Sequence, residues 1–92
     1  MSVTVGHIEF NRVRYDASAD VLYLNRGRPD DAVAFDESPE GHHLRSDAGG
    51  QLVGITLVRP LWLIENAGEI MISLPETVSL QSEALNGALA VA

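Results

Sequence analysis

Ninety-two residues, 46% of them apolar, set the size of one globular domain with a thin core and exclude a disordered chain. The lack of cysteine excludes a disulfide scaffold, a thiolate metal site and a thiol nucleophile, and suits a reducing compartment. A net charge of −7, with arginine as the sole basic residue type, disfavours nucleic acid and anionic membranes as partners.

The opening residues MSVTVGHIEF have neither a basic start nor an apolar run of signal length, so no export signal is expected. Apolar runs such as Leu61–Ile64 are far short of a bilayer span, and the expected location is cytoplasmic. A first strand is predicted over Glu9–Tyr15, with Val13 and Tyr15 on one face and Arg12 and Arg14 on the other. Ile8 and Phe10 are out of phase with that pattern, which predicts a bulge or bend near Asn11. Asp16-Ala-Ser-Ala-Asp20 reads as a turn, because aspartate and serine bond their own backbone there. A second strand, Val21–Arg26, is apolar at four successive positions. That suggests cover on both faces, with one-sided burial as the alternative.

Residues 27–31 break the chain again, and a third strand over Ala32–Asp36 places Val33 and Phe35 on one face. Ser38-Pro-Glu-Gly41 reads as a turn. His42–Ser46 is a fourth strand, Asp47-Ala-Gly-Gly50 a hairpin turn, and Gln51–Val58 a fifth strand with Val53, Ile55 and Leu57 inward. Gly54 in mid-strand predicts a bulge or a close contact. Arg59–Gly68 reads as a short helix with Pro60 at its first position and Gly68 at its end, or else as a strand turning back; the helix is preferred. Glu69–Leu74 is a sixth strand ended by Pro75, and Thr77–Leu80 continues extended. Ser82 is expected to cap a final short helix through Leu89, with Leu85, Ala88 and Leu89 at helical spacing. The expected fold is therefore mainly β, one domain over residues 1–92. It is a bent antiparallel sheet of about six short strands with one or two short helices.

Candidate sites are few. His42 and His43 are adjacent, so on a strand they point to opposite faces and cannot chelate one ion together. A metal site would need one of them to meet a carboxylate or His7 from elsewhere, and no recognised ligand spacing is present. Asp16 and Asp20 are the other binding candidates, although turn aspartates ordinarily tie backbone amides. The acidic run of residues 30–40 lacks the alternate ligands and sharp-turn glycine of a calcium loop, and reads as a solvated edge. No serine sits in a nucleophile motif and no phosphate loop is present, so no catalytic residue, cofactor or resident metal is assigned. Trp62, next to Leu61, reads either as core or as an exposed interface anchor.

Tyr15-Asp-Ala-Ser-Ala-Asp-Val-Leu-Tyr23 resembles the Tyr-Asp-x-x-x-Asp-x-Leu-Tyr segment of a small bacterial domain-of-unknown-function family, number 2283. Asp47-Ala-Gly-Gly-Gln-Leu-Val-Gly-Ile55 is similar to that family's Asp-x-x-Gly-x-x-Val-Gly-Ile pattern. The resemblance covers residues 13–58 and leaves 59–92 as a C-terminal extension. It implies no catalytic residues. It does imply an antitoxin-like role beside a small toxin-like protein encoded nearby. Arg28-Pro-Asp-Asp31 and the His42-His43 pair depart from the family pattern.

The function expected on these grounds is a non-enzymatic interaction module that self-associates, as a homodimer or higher oligomer. A small-ligand or metal-binding protein and an antitoxin-like partner are the alternatives.

Overall fold

The computed structural model describes residues 1–85 and 87–89, and it starts with a hairpin absent from the expected strands. Val3–Val5 (β1) pairs antiparallel with Ile8–Phe10 (β2), and Gly6 makes the turn at a φ of 62° that favours glycine. At Asn11 the chain leaves this hairpin for Arg12–Asp16 (β3), an edge of a five-stranded antiparallel sheet. The single strand expected over Glu9–Tyr15 is thus two strands in different sheets. The predicted bend near Asn11 is the point of division.

Val21–Asn25 (β4), Ala34–Glu37 (β5), His43–Ser46 (β6) and Leu52–Val58 (β7) complete the sheet in the order β3-β4-β7-β6-β5. A 3-10 turn at Pro29–Asp31 lies between β4 and β5. After the sheet come the helix Pro60–Ala67 (α1), an antiparallel hairpin of Ile70–Ser73 (β8) with Thr77–Leu80 (β9), and a 3-10 turn at Ser82–Leu85. The fold is mainly β, as expected. Its nine strands, among the described residues, are shared between one five-stranded sheet and two hairpins instead of one bent sheet.

Register decides which residues form the core. Val13, Leu24, Ile55 and Leu44 share one row across the sheet, and Tyr15, Leu22 and Leu57 share the next row on the same face. Leu22, Leu24, Ile55 and Leu57 are fully buried there against Val3, Val5 and Phe10 of the first hairpin and Ile70 and Ile72 of the last. Each such side chain contributes roughly 1.5–3 kcal/mol by leaving water. Val21 and Tyr23, on the opposite face, are only half-buried, so β4 is covered on one side. That opposite face carries Arg12, Arg14, Tyr23, Asn25, His43 and Arg45 in register.

Three local features explain where elements stop. The β6–β7 register slips between Arg45 and Ser46, and the Arg45 guanidinium lies across Gly54, where a side chain would collide with it. Gly54 thus makes the close contact predicted for it. Pro60 opens α1, and Gly68 closes it at a φ of 79°, donating its N–H to the Ile64 carbonyl at 3.0 Å. The final helix expected from Ser82 to Leu89 is a single 3-10 turn. Gly87 adopts a φ of 76°, which a right-handed helix does not allow, and residue 86 lies outside the described residues.

Candidate functional site

The helix α1 begins without a cap of its own. Its N-cap residue, Arg59, sits in the left-handed region at a φ of 55° and offers no side-chain acceptor. The missing acceptor is Asp20, 41 residues before Leu61, just ahead of β4 where that strand pairs with β7. Asp20 is also left-handed, at a φ of 53°. Its Oδ1 accepts the Leu61 N–H at 3.0 Å and the Tyr15 hydroxyl at 2.7 Å, and its Oδ2 accepts the Trp62 N–H at 3.1 Å. The Asp20 carbonyl accepts the Arg59 N–H at 2.8 Å. Two orphan amides of the helix N-terminus are satisfied in this way.

Electrostatics agree with the geometry. Partial burial pushes the Asp20 carboxyl up, but the bonds from Tyr15, Trp62 and Leu61 and the Arg59 charge outweigh it and hold it below its ordinary value. Burial, then the bond to Asp20 and its charge, push the Tyr15 phenol up to about 12. Because the folded chain keeps a proton that the unfolded chain gives up, this contribution to stability is lost as pH rises from 10.0 toward that value. Phenolate absorbance followed against pH is therefore expected to show Tyr15 ionising near 12 and to shift downward in Asp20→Asn, with burial still holding it above the ordinary tyrosine range.

Asp16 does local work. Its Oδ1 accepts the Ser18 N–H at 3.1 Å, the Ser18 hydroxyl at 2.7 Å and the Ala19 N–H at 3.4 Å. The Ser18 hydroxyl is the main cause of its lowered pKa. The two aspartates singled out in the sequence therefore have their oxygens engaged by the turn and by α1.

The histidines part as alternation requires. His42 precedes β6 and is buried; its Nδ1 accepts the Val58 N–H at 3.1 Å, where the β6–β7 ladder ends. With Nδ1 as acceptor, the neutral ring carries its proton on Nε2, and the backbone of Met71 is the partner on that side. Ser38 holds the loop in place, its Oγ accepting the His42 N–H at 3.1 Å. Burial holds the His42 pKa below its usual value, against the opposing effects of Glu40 and Met71. His43 is exposed on the other face. Glu40 is engaged by Ser73, accepting its N–H at 3.0 Å and its hydroxyl at 2.7 Å. The partners of His42 and those of Asp16 and Asp20 do not overlap, so the structure does not bring the four candidate binding residues into one site. Among the described residues no three His, Asp or Glu side chains group so as to hold a metal ion.

Trp62 is half exposed, with the Arg59 guanidinium 5.3 Å from its ring centroid, and Leu61 is half-buried. Larger openings lie at the sheet edges. At the β5 edge all four strand residues are exposed, with Phe35 73% and Val33 60% accessible. A groove of ≈ 540 Å³ runs beside that edge over Leu44, Leu52, Ile8 and Leu74, with Asp36 and Glu37 on its rim. At the β3 edge Arg12 and Arg14 are exposed, and the Arg14 guanidinium stands 4.5 Å from the Tyr23 ring centroid. Behind them Arg45 is fixed, donating to Asn25 Oδ1 at 2.7 Å and to Thr56 Oγ1 at 3.4 Å. Sequence reasoning missed the Arg45–Asn25 pair, because only register brings them together; Gly54 was its one visible sign.

A one-sided antiparallel β domain whose two sheet edges have no further strand beside them among the described residues, its turn carboxylates bonded to backbone amides, is the class that these features define. A family model described as Protein of unknown function (DUF2283) matches residues 12–59, just over half of the chain, and the chain belongs to that family. Comparison with curated proteins and with solved structures finds no match to this chain. The family match spans the five-stranded sheet, while β1, β2, α1, β8 and β9 lie outside it. No helix among the described residues is long and apolar enough to cross a membrane.

Proposed function

We propose that this protein is a non-enzymatic interaction module that self-associates through the β5 edge. The observation that carries this reading is the edge strand itself: Phe35, and Val33 just before it, stand open to water on a strand with no neighbour on its outer side among the described residues. Such an edge is a template for a further strand. A two-fold axis through Phe35 would pair Phe35 with its mate, Asp36 with Ala34 and Glu37 with Val33. No carboxylate then faces another, and the aromatic pair is buried at the centre. A register one residue away in either direction lacks the Phe35 pair.

Size-exclusion chromatography with light scattering tests the reading. The expected result is a concentration-dependent dimer that tightens with added salt, since each copy carries a net charge of −7. Phe35→Lys is expected to raise the dissociation constant at least about tenfold, which corresponds to about 1.4 kcal/mol. A monomer at every concentration, or a dimer indifferent to Phe35→Lys, overturns it.

A further inference from the structure

We infer that the opposite edge of the sheet, β3, docks an acidic β-strand from a partner protein. β3 ends the strand order, with no strand beside its outer edge among the described residues. Arg12 and Arg14 project from one face of it at two-residue spacing, and their register partners on β4 are Asn25 and Tyr23, not carboxylates. A cleft of ≈ 290 Å³ lies here, lined by Arg12, Val13, Arg14, Tyr23 and Asn25. Arg45 adds a third cation to the same face in a position fixed by Asn25.

The charge of the chain is distributed unevenly along the sheet. Residues 30–40, at the β5 side, hold five carboxylates and no base. Arg12 and Arg14 stand at the far edge, where the Arg45 side chain reaches toward them from β6 to Asn25, and the one carboxylate on β3, Asp16 at its end, is bonded to Ser18. An approaching acidic segment is repelled at β5 and attracted at β3, so charge complementarity selects both the partner and the edge. The partner strand that fits has carboxylates at alternate positions, facing Arg12 and Arg14, with apolar residues between them against Val13 and Tyr15. Main-chain hydrogen bonds would supply binding and the arginines the choice of sequence. The same arginines keep cationic and neutral edges away.

A short labelled peptide of alternating Glu and Val, and its twin with Lys in place of Glu, test the inference on the full chain by fluorescence anisotropy. The Glu peptide is expected to bind, to slow amide exchange over Arg12–Asp16, and to lose binding when its alternate amides are N-methylated. The Lys twin is expected not to bind. Arg12 and Arg14 are exposed, so the double variant R12E/R14E keeps the fold, which far-ultraviolet circular dichroism checks. In that variant the affinity for the Glu peptide is expected to fall at least about tenfold and the preference to pass to the Lys twin. Equal binding of both peptides, binding that survives N-methylation, or no binding at low salt overturns the inference. So does growth of the unmixed chain into open-ended oligomers that R12E/R14E abolishes, which would make the acidic edge of a second copy the occupant. The test leaves the β5 pairing untouched, because the two edges are separate strands.

Discussion

Asp20→Ala is expected to lower the free energy of unfolding by about 3.5–5 kcal/mol, read as a fall in the urea midpoint at unchanged slope. Three losses combine. Removing a helix cap costs about 1 kcal/mol, and here the Leu61 and Trp62 amides both lose their acceptor. The Tyr15 hydroxyl loses a charge-assisted bond, which is about 1.5–3 kcal/mol where the group stays partly buried. Alanine also disfavours the left-handed backbone that Asp20 adopts, by roughly 1 kcal/mol. The sum is a large fraction of the stability of a domain this small. Asp20→Asn separates the contributions: asparagine tolerates the left-handed region and keeps one acceptor oxygen, so about half of the loss is expected. An Asp20→Ala midpoint equal to that of the parent chain would mean that water serves the helix amides as well as the carboxylate does.

His42 governs the acid side of the stability profile. Its pKa is lowered in the folded chain by burial, so the unfolded chain takes up a proton first as pH falls below 6.5. Its contribution is complete above that pH and is lost as pH falls from there toward the folded group's lower value. The slope reaches at most about 1.4 kcal/mol per pH unit. Asp16, Asp20 and Glu40, whose pKa values are also lowered, lose their contributions only further down, as pH falls through the carboxylate range. Denaturant titrations between pH 7 and pH 5 are therefore expected to show a decline that His42→Asn removes, since the amide oxygen can accept the Val58 N–H without titrating. His42→Ala is expected to cost about 2–4 kcal/mol at neutral pH, from an unsatisfied buried amide and the cavity around it. A pH profile for His42→Asn that overlays the parent's would assign the decline to other groups.

Much of the sheet is written in local pattern. The alternation of Val53, Ile55 and Leu57, the Asp47–Gly50 turn and the Pro60–Gly68 punctuation each depend on neighbours in the chain, and each is where pattern places it. The first hairpin is hidden because three-residue strands give too short a period to register, and Glu9 and Phe10 read as the start of the strand that follows, with Ile8 and Phe10 out of its phase. The final helix failed at Gly87, whose sign of φ no composition rule supplies. The candidate residues show the same division. That Asp16 ties its own turn was legible, because its partners are two and three residues away. That Asp20 caps a helix and His42 ends a ladder was not, because their partners lie 41 and 16 residues away. The cationic and acidic edges likewise follow from strand order, which register fixes and sequence spacing does not.

The one-sided core bears on how such a chain can vary. The family segment supplies one layer, and the residues that flank it on both sides supply the other. Residues 12–59 alone would leave Leu22, Leu24, Ile55 and Leu57 facing water, a half-shell in need of a lining. What the flanks must conserve is volume and apolar character over that surface, not any particular order of strands and helices. A sheet of this kind can exchange its lining for another of equal bulk, folded from the same chain or lent by a neighbour, and keep both of its edges as they are.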